Sequence, residues 1–408
     1  MKYIILVGDG MSDRPCPDLN GKTPLEVAEK PEMDALCLRA EMGQTRTIPD
    51  ALPAGSDTAN LSLMGYDPAA HYTGRSPLEA VSMGVEMGDR DLVFRCNLVH
   101  VTDEPAYEAR TMVSHSAGMI SQQEAEAIMK DLMAHFADEP VRMAMGATYR
   151  HVLVMDTGEM PYKIEGLKTT PPHDILGEKI AAHLPQGPLS EQLLHFMKKS
   201  AAFLENHPVN LARKAKGLET ANSIWLWGEG RKPSLTPFYK KFHLKGSVVS
   251  AVPLLHGIGI CAGLRPIHVE GATGELETNY EGKVQAALRC LKEGDDFVFL
   301  HLEAPDECGH SGIAADKVEA IHRLDQRVLK PLLKGLADIG EDYRLLLLPD
   351  HATPLTLRTH VHDPIPYLLY DSSHPQQHAN RRYTEAQAAA LCPDPSIGHE
   401  LIARFLLG

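Results

Sequence analysis

The sequence predicts an α/β protein: a mostly parallel sheet with helices on both faces, interrupted by a smaller inserted α+β domain. Two observations predict it. Apolar strand-like runs at Lys2–Val7, Phe297–Leu302 and Arg344–Leu348 alternate with stretches of helical period, as βαβ units do. Each of those runs also ends in a polar, turn-rich segment carrying a carboxylate: GDGMSD, EAPDECGH and PDHATP. In an open parallel sheet the C-terminal strand ends line one edge, and ligands bind there.

The elements follow in order. After the first strand, LPAGSDTANLSLMGY (52–66) contains an apparent helix over Asp57–Met64. Residues 92–101 (LVFRCNLVHV) and 106–113 read as paired strands, Ser121–Phe136 as an amphipathic helix and Arg150–Val154 as a strand. Polar helices are expected at about 173–184 and 189–206. This stretch lacks carboxylate-tipped strand ends, so it reads as an insertion spanning 91–235, with the core formed by 1–90 and 236–408. In the core, SVVSAVPLLHGIGICAGL (247–264) approaches the length of a membrane span. Pro253, His256 and three glycines interrupt it, which favours a buried strand, turn and helix. Helical periodicity returns at Tyr280–Lys292 and at Ala315–Ala337, where Val318, Ile321, Leu324, Val328 and Leu332 share one face.

Composition narrows the partners. A net charge of −14 argues against a nucleic-acid or acidic-membrane binder, and it requires any small anionic substrate to be met by a local positive site. Seven scattered cysteines with no CxxC fit reduced thiols in a cytoplasm. The apolar run before Gly8 is too short for a signal segment. A soluble cytoplasmic protein is expected, of undetermined oligomeric state.

The strand ends deliver Asp9, Asp306 with His310, and Asp350 with His351; His362 follows in THVHDP. Taken singly, an aspartate after a strand is more often a turn or helix-cap residue. Together, three aspartates and three histidines suit two divalent cations with mixed oxygen and nitrogen ligands. Ser56 precedes the apparent helix, at an N-terminus that favours anions. It either caps that helix or, if a metal reaches it, ionises into a nucleophile.

The motifs VGDGMSD, PAGSDTANLSLMGYDP, YTGRSPLEA, FRCNLV, PPHDI, GATG, PDECGH and PDHATP, in this order, resemble the alkaline-phosphatase superfamily. More closely, they are similar to cofactor-independent phosphoglycerate mutases of the archaeal type. The resemblance implies an alkaline-phosphatase-like core and Ser56 as the phosphorylated nucleophile. It implies one metal on Asp9, Ser56, Asp350 and His351 and another on Asp306, His310 and His362, with manganese favoured and zinc, cobalt or magnesium also suited. The implied reaction moves the phosphoryl group of 3-phosphoglycerate to Ser56 and then to the 2-hydroxyl of the retained glycerate. The inserted domain is expected to close and exclude water.

The substrate-binding positions follow the family less closely. SHSAGM (114–119) stands where the mutases often carry an arginine-rich segment, and Trp227-Gly228-Glu229-Gly230 stands where they tend to carry RGAG. His115 and the indole of Trp227 are weaker donors to a carboxylate or phosphate than arginine. Arg75, Arg95, Lys283, His173 and Asn222 complete the candidate substrate contacts. The WLWGEG stretch also resembles a branch of the family proposed to act as homoserine kinases. A kinase of that kind, a phosphomonoesterase and a non-catalytic metal scaffold are the competing readings; the absence of GxxxxGK[ST] excludes an ordinary P-loop kinase.

Overall fold

The computed structural model describes residues 1–157 and 166–408. Among these the strands are, in chain order, β1 (Lys2–Gly8), β2 (Glu41–Arg46), β3 (Asp91–Val101), β4 (Met112–Ser114), β5 (Val141–Ala144), β6 (Arg150–Asp156) and β7 (Ser223–Gly230). Then come β8 (Gly246–Val249), β9 (Arg265–Ile267), β10 (Phe297–Leu302), β11 (Tyr343–Leu348), β12 (Ile365–Asp371) and β13 (Ser396–Ile397). The chain forms two compact units, Met1–Tyr72 with Ser234–Gly408, and Thr73–Pro233.

The first unit holds an eight-stranded sheet in the order β13-β2-β12-β11-β1-β10-β8-β9. β1 lies between β10 and β11, parallel to both, while β12 runs antiparallel to β11 and β2. A central parallel strand must be apolar on both faces, and YIILV satisfies this. Ile4 and Leu6 join Val298, Leu300, Leu345 and Leu347 in a core closed by the helices Tyr280–Lys292 and Ala314–Arg323. On the opposite face Tyr3 meets Phe405 edge-on at 5.8 Å, and Phe297 stacks on Phe238 at 4.6 Å, so helices cover both sides. The register sets Val7 level with His301 and Leu348. The segments that follow these three strands therefore leave the sheet at one edge.

The second unit is built on a five-stranded antiparallel sheet in which β3 pairs with β4, β6 and β7, and β5 with β6. The helices Gln122–His135 and Ser190–Leu204 cover one face, against Phe94, Leu98, Leu153 and Trp225. Ser121 and Glu124 form a reciprocal capping box that fixes the start of the first of these helices. On the other face Ala80, from the helix Ser76–Ser82, packs on Val93, Val152 and Val154. This packing carries residues 73–90, expected with the core, into the second unit.

Three local expectations need correcting. Residues 106–113 are not one strand: Tyr107–Ala109 is a 3₁₀ turn, anchored by the buried Tyr107 hydroxyl 2.9 Å from Ser223 Oγ, and the strand itself is Met112–Ser114. Residues 173–184 form two 3₁₀ turns, Pro172–Ile175 and Ile180–His183. Pro171 and Pro172 supply no N–H, and Gly177 sits at φ +81° between the turns. The long helical run is continuous but passes through a π turn at Leu324–Leu329, just ahead of Pro331, whose ring cannot join the regular ladder.

Candidate metal and phosphoryl-transfer site

The edge beyond β1, β10 and β11 gathers the predicted carboxylates. Asp350 Oδ1 accepts the backbone N–H of Gly10 at 3.0 Å and of His351 at 2.9 Å, which pins the β11 end to the β1 end. Asp350 Oδ2 accepts from Asn60 Nδ2 at 2.7 Å, and the same amide reaches Ser56 O at 2.9 Å. The start of the helix Ser56–Leu63 is thereby tied to the sheet edge. His351 Nε2 is the hub: Ser56 Oγ lies at 3.0 Å, Asp9 Oδ1 at 3.4 Å and Asp350 Oδ2 at 3.4 Å. These four are the residues expected to share one metal.

Ser56 is not the N-cap of its helix. Gly55 is the N-cap and Ser56 the first helical residue, and the Ser56 hydroxyl faces His351.

The second cluster contains Asp306 and His310, whose Oδ2 and Nε2 are 3.2 Å apart. The third member differs from expectation. His362 points its Nε2 at the carbonyl of Leu52, 2.8 Å away, and takes no part. His360 occupies the position instead, with Nε2 3.0 Å from His310 Nε2 and 3.5 Å from Asp306 Oδ1. Thr353 Oγ1 donates to Asp306 Oδ1 and lies 3.2 Å from His351 Nδ1, linking the two clusters.

The charges reflect this crowding of buried carboxylates and imidazoles. Burial, then repulsion from Asp350 and Asp306, pushes the Asp9 carboxyl well above its ordinary range. Asp9 Oδ1 is buried and accepts no hydrogen bond. Burial would raise Asp306 as well, but bonds from His310 and His360 outweigh it and hold that carboxyl low; the Asp306 bond in turn lifts His310 to about 9. Ligand atoms of Asp306, His351 and His360 lie within 4.8 Å of one another, as do those of Asp9, His301 and Asp350. Converging carboxylates, imidazoles and an unpartnered buried oxygen fit divalent cations.

Sequence reasoning missed His301 and Glu303. Both are buried, His301 within β10 and Glu303 just after it, and they sit beside Asp9. His301 Nε2 approaches Asp9 Oδ2 to 3.2 Å, an ion-pair contact out of line for a hydrogen bond. Lys283, expected to touch substrate, is instead fully buried. Its ammonium donates to Glu303 and, at 3.1 Å, to the His301 carbonyl.

Most of the other substrate candidates converge within the second unit. Glu79 binds both Arg75 (2.9 Å) and Arg95 (2.8 and 2.6 Å), and the Arg95 guanidinium lies 4.6 Å from the Trp227 ring centroid. His173 stands edge-on to Trp227 at 5.4 Å and to His115 at 6.1 Å. The Trp227 N–H is already spent on Asn97 Oδ1 at 3.1 Å, so it is no free donor. Asn222 lies outside this group. Both ends of its amide are used by the Val101 backbone, at 2.9 and 2.6 Å, where it holds β7 to β3.

Comparison with known proteins gives the family. A family model described as 2,3-bisphosphoglycerate-independent phosphoglycerate mutase matches residues 38–210. A protein of Geobacter sulfurreducens named probable 2,3-bisphosphoglycerate-independent phosphoglycerate mutase is 47% identical, over 95% of each chain. The chain belongs to the 2,3-bisphosphoglycerate-independent phosphoglycerate mutase family. A second member, from Methanosarcina barkeri, is 45% identical, again over 95% of each chain. Among solved structures, the PH0037 protein of Pyrococcus horikoshii aligns with a TM-score of 0.81 at 29% identity, covering 100% of this chain and 96% of that one. The cofactor-independent phosphoglycerate mutase of Thermoplasma acidophilum shares the fold, with a TM-score of 0.67 at 23% identity over 100% and 99% of the two chains. Among the described residues no helix is long and apolar enough to cross a membrane.

Proposed function

We propose that this chain interconverts 3-phosphoglycerate and 2-phosphoglycerate through a phosphoserine at Ser56, with no bisphosphoglycerate. One observation carries the reading: the Ser56 hydroxyl is released from capping, stands at a helix N-terminus and lies 3.0 Å from His351 Nε2 among buried carboxylates. A scaffold that only binds metal gives no reason for a serine there.

The site would hold two divalent cations, one on Asp9, Ser56, Asp350 and His351, the other on Asp306, His310 and His360. Bound there, they would supply charge for the phosphoryl oxygens and lower the pKa of the serine hydroxyl. Manganese suits this mixed oxygen and nitrogen set, as do zinc, cobalt and magnesium. The chain's own residues do the rest. Ser56 Oγ bonds to phosphorus as the bond from phosphorus to the 3-oxygen of glycerate breaks, and the serine proton ends on that oxygen. In the second half the 2-oxygen bonds to phosphorus and the Oγ bond breaks, returning a proton to Ser56. The first N–H groups of the Ser56 helix face the anion in both halves. Asn60 keeps Ser56 in register with Asp350. Arg75, Arg95, His115 and His173 are the groups we assign to the glycerate and its carboxylate. The seven scattered cysteines, with no CxxC pair, support a reducing compartment such as the cytoplasm, where glycolytic intermediates are found.

The test is product analysis of the manganese-loaded protein given 3-phosphoglycerate, with ATP and homoserine in a parallel tube. Production of 2-phosphoglycerate without inorganic phosphate, abolished in Ser56→Ala, is the expected result. O-phosphohomoserine from the second tube would overturn it in favour of a kinase, and stoichiometric phosphate release in favour of a phosphomonoesterase.

A further inference from the structure

The chain that reaches Asp9 from behind is built in more detail than packing needs. Glu303 Oε1 accepts three donors: Ser250 Oγ at 2.8 Å, Ala251 N at 2.9 Å and His301 Nδ1 at 3.1 Å. Its Oε2 takes the Lys283 ammonium. A carboxylate so surrounded is an acceptor only, so His301 carries a proton on Nδ1, and this bond fixes the ring with its Nε2 edge toward Asp9. Nε2 meets Asp9 Oδ2 at 3.2 Å, while Oδ1, on the His351 side, is left without a hydrogen bond. One oxygen is in ion-pair contact with the ring edge and the other is presented. Ser250, Lys283, His301 and Glu303 are all buried, so water cannot substitute for any of these contacts.

We propose that Lys283, Glu303 and His301 form a buried relay that orients the Asp9 carboxylate for its cation, making His301 a positioning residue of that metal site. This rests on the metal site of the proposed function. Lys283 fixes Glu303 and Glu303 fixes the imidazole by hydrogen bonds, and the imidazole edge limits the carboxylate by its 3.2 Å contact. Residues that orient a ligand in this way typically contribute 10- to 100-fold to metal affinity.

The experiment is a manganese titration of the metal-free full chain, with free Mn(II) counted by electron paramagnetic resonance. The wild-type protein is expected to bind two equivalents. In His301→Ala one equivalent weakens 10- to 100-fold while the other, on Asp306, His310 and His360, keeps its affinity. Glu303→Gln, which keeps the shape, weakens the same equivalent, and Lys283→Met does so to a smaller degree. A variant that had merely failed to fold would lose both equivalents and its circular dichroism, and Glu303→Gln then decides. Unchanged affinity for both equivalents in folded His301→Ala and Glu303→Gln overturns the relay. Loss of a directly coordinated nitrogen in the spin-echo spectrum of His301→Ala also overturns it, because His301 would then be a ligand. A wild-type protein that binds no manganese sinks the metal reading itself, and the relay with it.

Discussion

Glu385 opens a helix with its carboxylate turned inward, accepting from Asp13 N at 3.1 Å and from Thr23 Oγ1 at 2.8 Å. Burial pushes its carboxyl from 4.5 up to about 7, against the pull of those hydrogen bonds. Below pH 4.5 the group is protonated whether the chain is folded or not. Between pH 4.5 and 7 only the folded state keeps the proton, so stability falls as pH rises through that window. At about 1.4 kcal/mol per unit, and discounting for partial exposure, the loss is on the order of 2 kcal/mol. Glu385→Gln should flatten the dependence of urea midpoint on pH between 5 and 7.5; an unchanged slope would assign it elsewhere. Residue-scale chemistry is also where the sequence was hardest to read. Asp9, Asp306 and Asp350 stood out because each follows an apolar run. His301 sits inside such a run, FVFLHL, where it reads as packing, and its support arrives from Lys283, 18 residues upstream on a helix. His360 and His362 flank one valine in a segment with no strand pattern. Two residues of extended chain amount to about 6.6 Å, enough to carry His362 past the cluster to Leu52.

At the scale of elements, the turn after β1 does the placing. Gly10 sits at φ +59°, and a Cβ there would lie 2.5 Å from Asp306 Oδ1, 2.6 Å from Thr353 Oγ1 and 2.8 Å from the Asp306 backbone. Gly10→Ala therefore combines a left-handed backbone cost of roughly 1–2 kcal/mol with a displaced Asp306 carboxylate. It should lower the melting temperature by several degrees and weaken manganese on the Asp306 cluster, read by calorimetry and titration; wild-type affinity would show that the turn yields freely. The strands of the first unit were legible because a parallel core strand is apolar on both faces, and YIILV and RLLLL are little else. The turns at 106–113 and 173–184 were not, because an anchored tyrosine hydroxyl and paired prolines override local pattern.

At the scale of the whole molecule, residues 73–233 are one continuous stretch with a sheet and a core of their own. Expressed alone, this fragment should unfold cooperatively on heating and give dispersed amide resonances. A non-cooperative melt would mean that its core is completed by the rest of the chain. The first unit has no such independence, since its two segments are joined through β1. That arrangement sets an order of events during synthesis. β1 is made well before its neighbours β10 and β11, which begin at Phe297 and Tyr343. At 5–20 residues per second, the roughly 290 residues before β10 take about 15–60 s to make. The intervening domain has time to fold in that interval, while the future centre of the sheet waits as a bare seven-residue apolar strand. The nascent chain is thus a natural client for chaperones, and its yield in a cell depends on how well that waiting strand is shielded.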